Sequence, residues 1–290
     1  MAIIIYKTLK IAYENNINTY KNFLDKIFLE NEKLSNITNI IINIFLCATF
    51  FIMISGFGTY LSQSFGMNQI IGSSILALIS YIVFLRKIES FAKINNIVMP
   101  ILITIILIIG IINLVNLKEI DNNIYLDKSY FWILQAILYA SYNLVLVEPV
   151  LVNLKQFLRN KKQILKISIG VGIIMTILAI LEFLLLTNVD INFKNLEMPL
   201  VYVVEKTFPR FTYLYGIIIL IAIFTTAVSV GISFLNNINK NEKSFPQNAA
   251  ILCISSVIIS QISFSKLVEN LFPLFGFLGL IQMIFILKKK

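Results

Sequence analysis

From Leu34 to Leu85 the chain carries no aspartate, glutamate, lysine or arginine. An uncharged run of that length is enough for two bilayer crossings of about 20 residues each, and a short polar turn around Tyr60–Gln69 divides it. Comparable apolar segments follow. Spans are therefore expected at 38–58, 69–86, 95–117, 130–154, 163–187, 212–235, 247–263 and 270–287. Composition agrees, with 58% hydrophobic and 13% charged residues, against about 25% charged in an average soluble domain. The expected fold class is all-α, a polytopic membrane protein with about eight transmembrane helices. Residues 1–290 are expected to form a single membrane domain, because no polar region is long enough to fold separately.

The net charge of +9 raises the question of nucleic acid, but the basic residues flank apolar runs and form no basic motif. The lipid bilayer is the expected partner, with no nucleic acid; nothing in the sequence defines an oligomeric state. With the N-terminus inside, the segments 1–37, 86–94, 155–166, 236–246 and 288–290 hold 18 of the 24 lysines and arginines. The others are Lys118, Lys128, Lys194, Lys206, Arg210 and Lys266. This three-to-one bias predicts an even number of spans with both termini in the cytoplasm. Met1–Ile5 is too short for the apolar core of a cleavable signal peptide. Within the N-terminal segment Tyr20, Phe23, Leu24, Ile27 and Phe28 recur at helical spacing. They predict an amphipathic helix on the cytoplasmic membrane surface, with a solvated linker helix as the alternative.

Histidine is absent, which removes the commonest general base and metal ligand. Cys47 and Cys253 lie in separate apolar runs and read as small buried hydrophobes, so neither a disulfide nor a metal site is expected. No phosphate-binding loop, zinc-ligand set or catalytic triad is present, and the chain is not expected to be an enzyme. Gly56-Phe-Gly58 follows no strand and reads as a place where helices pack closely.

The segment Tyr130–Leu154, YFWILQAILYASYNLVLVEPVLVNL, departs most from a lipid-facing helix. Ser141, Tyr142 and Asn143 place three hydrogen-bonding side chains in a row at mid-depth, and Glu148–Pro149 follow. Proline removes a backbone donor and crowds the carbonyl four residues earlier. A span interrupted at its centre would expose peptide groups to a substrate, so Ser141, Tyr142 and Asn143 are the candidate substrate-binding residues. A proline-kinked structural helix is the alternative. Glu148 and Glu182 are the only carboxyl groups inside spans. Either could carry a coupled proton, since surroundings poor in water disfavour the charged form; Glu182 could instead reach the outer headgroups. Thr225, Thr226 and Ser229 form a hydroxyl cluster suited to a hard monovalent cation such as Na⁺, or else bonded back to their own helix. In the 188–211 segment, Met198–Lys206 predicts a short helix with Pro199 early, placed to cover an external opening or simply to connect.

Several ordered stretches together resemble the YkvI-like bacterial membrane proteins, of the amino acid–polyamine–organocation transporter superfamily with the LeuT-type fold. They are FLCATFFIMISGFG (45–58), ASYNLVLVEPVLV (140–152), Met198 with Pro199, LYGIIILIAIFTTAVS (214–229) and LVENLFPLFGFLGLIQ (267–282). The resemblance implies ten helices in two inverted five-helix repeats, in a bacterial inner (plasma) membrane. Substrate would lie between broken first and sixth helices, and a cation, in sodium-coupled relatives, between the first and eighth. The 130–154 segment then takes the place of helix six, with Ser141–Asn143 at its unwound position. The 212–235 segment takes that of helix eight, which favours Thr225, Thr226 and Ser229 as a cation site. Residues 38–117 become the remainder of the first repeat and 130–287 the second. The Gly-rich first helix has no counterpart, and Met1–Tyr13 resembles the tail of helix two. The resemblance thus implies a chain lacking the first two helices, with no transport by this polypeptide unless they are supplied. The expected function is secondary active transport of a small amino-acid-like solute coupled to Na⁺ or H⁺, without other cofactors. The rival expectation is a non-transporting structural or sensory membrane protein.

Overall fold

The computed structural model describes residues 1–17, 19–29, 31–86, 89–115, 131–187, 197–207, 209–238 and 242–289 (backbone only at 89–98, 113–115, 153, 185, 187, 207 and 242). Lys87, Lys118, Lys128, Lys194, Lys240 and Lys290, used above to orient the chain, lie outside the described residues, as does the side chain of Lys93. Among the described residues the regular structure is entirely helical. The helices are α1 (Ala2–Glu14), α2 (Tyr20–Ile27), α3 (Glu32–Phe65), α4 (Gln69–Leu85), α5 (Glu89–Val115), α6 (Phe131–Leu154), α7 (Lys161–Thr187), α8 (Pro199–Thr207), α9 (Thr212–Ile238), α10 (Phe245–Ile259) and α11 (Phe264–Lys288).

Each of the eight apolar segments is built on a helix among the described residues. Five stretches are long and apolar enough to cross a membrane: Glu32–Phe65, Phe131–Val152, Lys161–Leu184, Pro209–Ile238 and Phe264–Lys288. Gln69–Leu85, Met99–Ile112 and Phe245–Ile259 are shorter apolar helices. At about 1.5 Å per residue, α3 with its 34 residues measures about 51 Å, well beyond a hydrocarbon core of about 30 Å. The protein is a multi-pass helical membrane protein.

The chain divides into two compact units, each drawn from separate parts of the sequence. One comprises Met1–Ala48, Asp127–Met175 and Val268–Lys290; the other comprises Thr49–Leu126 and Thr176–Leu267. Helices α3, α7 and α11 contribute residues to both.

In the first unit, α1 and α2 both pack on α6. Thr19 caps α2, its side chain accepting from the Asn22 N–H, as a threonine preceding a helix commonly does. The predicted apolar stripe of α2 is real: Tyr20, Phe23, Leu24 and Ile27 are buried. What covers it differs from expectation. The stripe is enclosed by the chain itself and leaves no apolar face for a membrane surface. Helices α6 and α11 run parallel. A Cβ added at Gly276 would meet the Leu138 carbonyl oxygen at 2.9 Å, and one at Gly279 would meet that of Ser141 at 2.6 Å. Phe45 of α3 stacks on Phe275 of α11 with ring centroids 4.0 Å apart.

In the second unit α4 packs against α10 and α9. Gly58 of α3 lies against α4, where an added Cβ would come within 2.6 Å of the Gln69 carbonyl oxygen; the glycine permits that approach, as its sequence context predicts. Helix α10 stops at Ile259 although apolar sequence continues to Ile262. The freed carbonyls have other partners: Gln69 Nε2 donates to Ser260 O at 2.7 Å and Ser55 Oγ to Ile262 O at 3.1 Å. Helix α8 forms with Pro199 as its first residue, where the missing N–H costs nothing. It buries Val201, Val203 and Val204 and packs on α9. Glu197, just before it, accepts from Ser263 Oγ at 2.8 Å and from the Ser265 N–H at 2.9 Å, satisfying the start of α11.

The glycine contacts generate a paired prediction. Gly279→Ala and Gly58→Ala should each destabilise the protein by about 1–3 kcal/mol, the usual range for overpacking. Gly170→Ala, with nothing within 4 Å of the added Cβ, should be neutral or stabilising by up to about 1 kcal/mol. Thermal unfolding in detergent measures all three, and equal effects would contradict the close α6–α11 and α3–α4 approaches.

Candidate functional site

Helix α6 is continuous from Phe131 to Leu154, with Pro149 inside it. The expected interruption at Ser141–Asn143 is therefore corrected: there is no unwound segment. The polar side chains satisfy themselves within the helix instead of opening it. Ser141 Oγ donates to Ile137 O at 2.7 Å, and Asn143 Nδ2 donates to Tyr139 O at 2.8 Å. Such back-bonding to the preceding turn leaves the helix ladder intact. Pro149 removes only its own N–H, so the lost backbone bond is the one to Val145 O. Ser141 is buried and lies 3.2 Å from Met283 Sδ. Tyr142 places its ring against Phe272, centroids 4.5 Å apart.

The face that α6 turns to α11 carries Leu138, Ser141, Val145 and Glu148, at the spacing of one helical stripe. At its end stands a three-residue polar cluster drawn from three helices. Glu148 of α6 is 0% exposed, Gln282 of α11 is 2% and Tyr20 of α2 is 5%. Gln282 Nε2 donates to Tyr20 Oη at 2.6 Å and also to Glu148 Oε2. Tyr20 Oη in turn donates to Glu148 Oε2 at 3.4 Å. One carboxyl oxygen thus receives both donors. The other, Oε1, is buried with no hydrogen-bond partner, and among the described residues no lysine or arginine pairs with the group. A buried charge without a partner is costly, so this carboxyl suits a passenger that brings a proton or a positive charge.

Beside the cluster lies an apolar cavity of about 220 Å³, lined by Gln282, Gly279, Val145, Ile42, Phe45 and Phe275 among others. That is smaller than the roughly 300 Å³ at which pockets for drug-sized ligands begin, and it sets an upper size on an occupant.

Thr225, Thr226 and Ser229 belong to α9, in the second unit, and also bond back to their own helix. Thr225 and Thr226 donate to Ala222 O at 3.0 and 2.8 Å, and Ser229 to Thr225 O at 2.8 Å. Helix α9 is continuous from Thr212 to Ile238, so the cluster has no freed helix carbonyls beside it. Glu182 is exposed on α7. Among the described residues no group of three or more histidine, cysteine or acidic side chains could hold a metal ion.

Of the expected residues, the structure brings Ser141 and Glu148 onto one face of α6. It adds two partners that sequence reasoning missed. Tyr20 was counted with the membrane-facing stripe of α2. Gln282 stood only at the end of a resembling stretch, although it is the one amide or charged side chain between Leu271 and Leu287, a signal that was available.

The chain is similar to two Bacillus subtilis (strain 168) proteins over nearly its whole length. It is 26% identical over 285 residues to the uncharacterized membrane protein YkvI, covering 94% of this chain and 79% of that protein. It is 24% identical over 285 residues to the uncharacterized protein YyaD, covering 97% and 82%. No protein-family model matches the chain, and no solved structure matches it.

If one network holds the carboxyl, Tyr20→Phe and Gln282→Leu should each destabilise the protein by about 1–3 kcal/mol, the cost of leaving a buried acceptor unmet. Their effects should differ from additivity by about 0.5–3 kcal/mol. Strict additivity in denaturation midpoints would show that the two donors act independently.

Proposed function

We propose that this protein is a secondary active transporter of a small amino-acid-like solute, with Glu148 carrying the coupled proton. The observation that carries the proposal is Glu148 Oε1, a buried carboxyl oxygen within a candidate span and without a partner. Ionisable groups in such positions are costly and typically mark ion or substrate pathways. The adjacent cavity supplies room for a small solute. Ser141, Tyr142 and Asn143, on the intact helix and not among the residues lining that cavity, are the further proposed substrate contacts. If sodium is the coupling ion, Thr225, Thr226 and Ser229 are the proposed route.

The architecture we propose is a LeuT-like inverted repeat. Under that reading α4 and α10 are the fourth helices of the two repeats. They pack against each other, and antiparallel pairing of equivalent elements is what a pseudo-two-fold axis in the membrane plane produces. Similarity to a Bacillus membrane protein over 94% of the chain supports the membrane setting of this reading.

The unbroken α6 favours a second reading, a structural or sensory membrane protein without transport. Proteoliposomes holding the chain together with the two preceding helices that the resemblance implies separate the two. With a panel of labelled amino acids, an inward proton gradient should drive accumulation of at least one solute, and Glu148→Gln should reduce it to background. Accumulation that follows a sodium gradient and survives Glu148→Gln would move coupling to the α9 hydroxyls. No accumulation under either gradient, with Tyr142→Cys protected from aqueous thiol reagents throughout, would establish the second reading.

A further inference from the structure

Away from the Glu148 cluster, the first unit contains a second cavity, of about 250 Å³, and its lining is strongly basic. Lys7, Lys10, Lys26 and Lys289 line it together with Tyr6 and Glu14. Lys7 and Lys10 stand one turn apart on α1, opposite the stripe of Ile4, Ile5, Leu9 and Ala12 that faces the core. Helix α2 supplies Lys26, and the chain just past α11 supplies Lys289. We infer that this cavity binds a phosphate-bearing anion, either the headgroup of an acidic phospholipid or free phosphate.

Three observations carry the inference. First, three of the four lysine side chains make no hydrogen bond within the described residues. Lys7 Nζ donates to Leu287 O at 2.6 Å and Lys289 O at 2.9 Å, closing the carbonyl end of α11. Lys10, Lys26 and Lys289 are half-buried, and no amino group among them hydrogen-bonds or ion-pairs with a described residue. Like charges gathered in a partly desolvated cavity repel one another, and an anion relieves that repulsion.

Second, the acid in the lining is already committed. Glu14 pairs with Lys161 at 2.5 Å, and the Lys161 ammonium holds its carboxyl below the usual range. Glu14 is therefore balanced chiefly by Lys161, with Lys10 also acting on it, and offers Lys26 and Lys289 no compensation.

Third, the cavity lies at the polar ends of apolar helices. Helix α11 ends at Lys288, α7 begins at Lys161 and the α6–α7 connection begins at Lys155. The end of α1 and the residues just after it bond to this same margin: Tyr13 Oη donates to Arg159 O at 3.2 Å and Lys155 Nζ to Asn16 Oδ1 at 2.5 Å. Headgroup phosphates occupy such a margin, and basic pockets between helices there hold acidic headgroups. Phosphate also offers several acceptors to converging ammonium groups.

The test uses the purified full chain in neutral detergent, with thermal midpoint as the readout. Phosphatidylglycerol, phosphatidylcholine and inorganic phosphate are added separately. A rise with phosphatidylglycerol alone identifies a lipid headgroup; a rise with inorganic phosphate as well identifies a site for the free anion. In both cases the rise should vanish in Lys10→Gln/Lys26→Gln/Lys289→Gln. It should persist in Lys33→Gln/Lys162→Gln/Lys166→Gln, which removes the same charge from exposed positions outside the cavity. If the first triple variant does not fold, Lys26→Gln alone should weaken half-maximal stabilisation by about fivefold, the equivalent of about 1 kcal/mol for one lysine. No stabilisation by either anion, or equal losses in both triple variants, would overturn the inference.

Discussion

A carboxyl group enclosed by apolar helices must find donors, and Glu148 finds two on a single oxygen. Much of the first unit can be understood from that requirement. Helix α2 cannot lie loose on a membrane surface, because its Tyr20 hydroxyl belongs to the cluster. Helix α11 must approach α6 closely enough for Gln282 to reach, and Gly276 and Gly279 allow that by removing side chains where the two backbones would collide. The parallel course of the two helices keeps Ser141 opposite Gly279 and Glu148 opposite Gln282. Close packing and hydrogen bonding thus reinforce one another along one stripe of α6.

The same stripe explains why α6 stays whole. Serine and asparagine in apolar surroundings need acceptors, and the preceding turn of their own helix supplies them. Once they bond back, nothing at 141–143 competes with the backbone ladder, and Pro149 withdraws only one donor further along. The hydroxyls of α9 follow the same rule. Polarity in the middle of a span is therefore not evidence of a break. It becomes informative when a polar atom cannot be satisfied locally, as with the second oxygen of Glu148.

What was legible in the sequence was whatever depends on neighbours along the chain. The helical stripe of α2, the early proline of α8 and the small residue at Gly58 each depend on a few neighbouring residues, and each takes its expected local form, although what covers the α2 stripe does not. Glu148 could be singled out because an acid within an apolar segment is conspicuous. Its partners could not be assigned, since Tyr20 and Gln282 lie 128 and 134 residues away and no periodicity links them. The end of α10 was hidden for a similar reason: Ser55 and Gln69, which take up the carbonyls beyond it, come from other helices.

The account rests on Glu148 being held by Tyr20 and Gln282 inside the protein, and infrared difference spectroscopy of membranes addresses that directly. Subtracting the Glu148→Gln spectrum from that of the unaltered protein isolates the carboxyl vibration. The structure predicts one narrow band, slow to respond to deuterium oxide, that is displaced by Tyr20→Phe and by Gln282→Leu. A band that exchanges at once with the solvent and ignores both substitutions would contradict it.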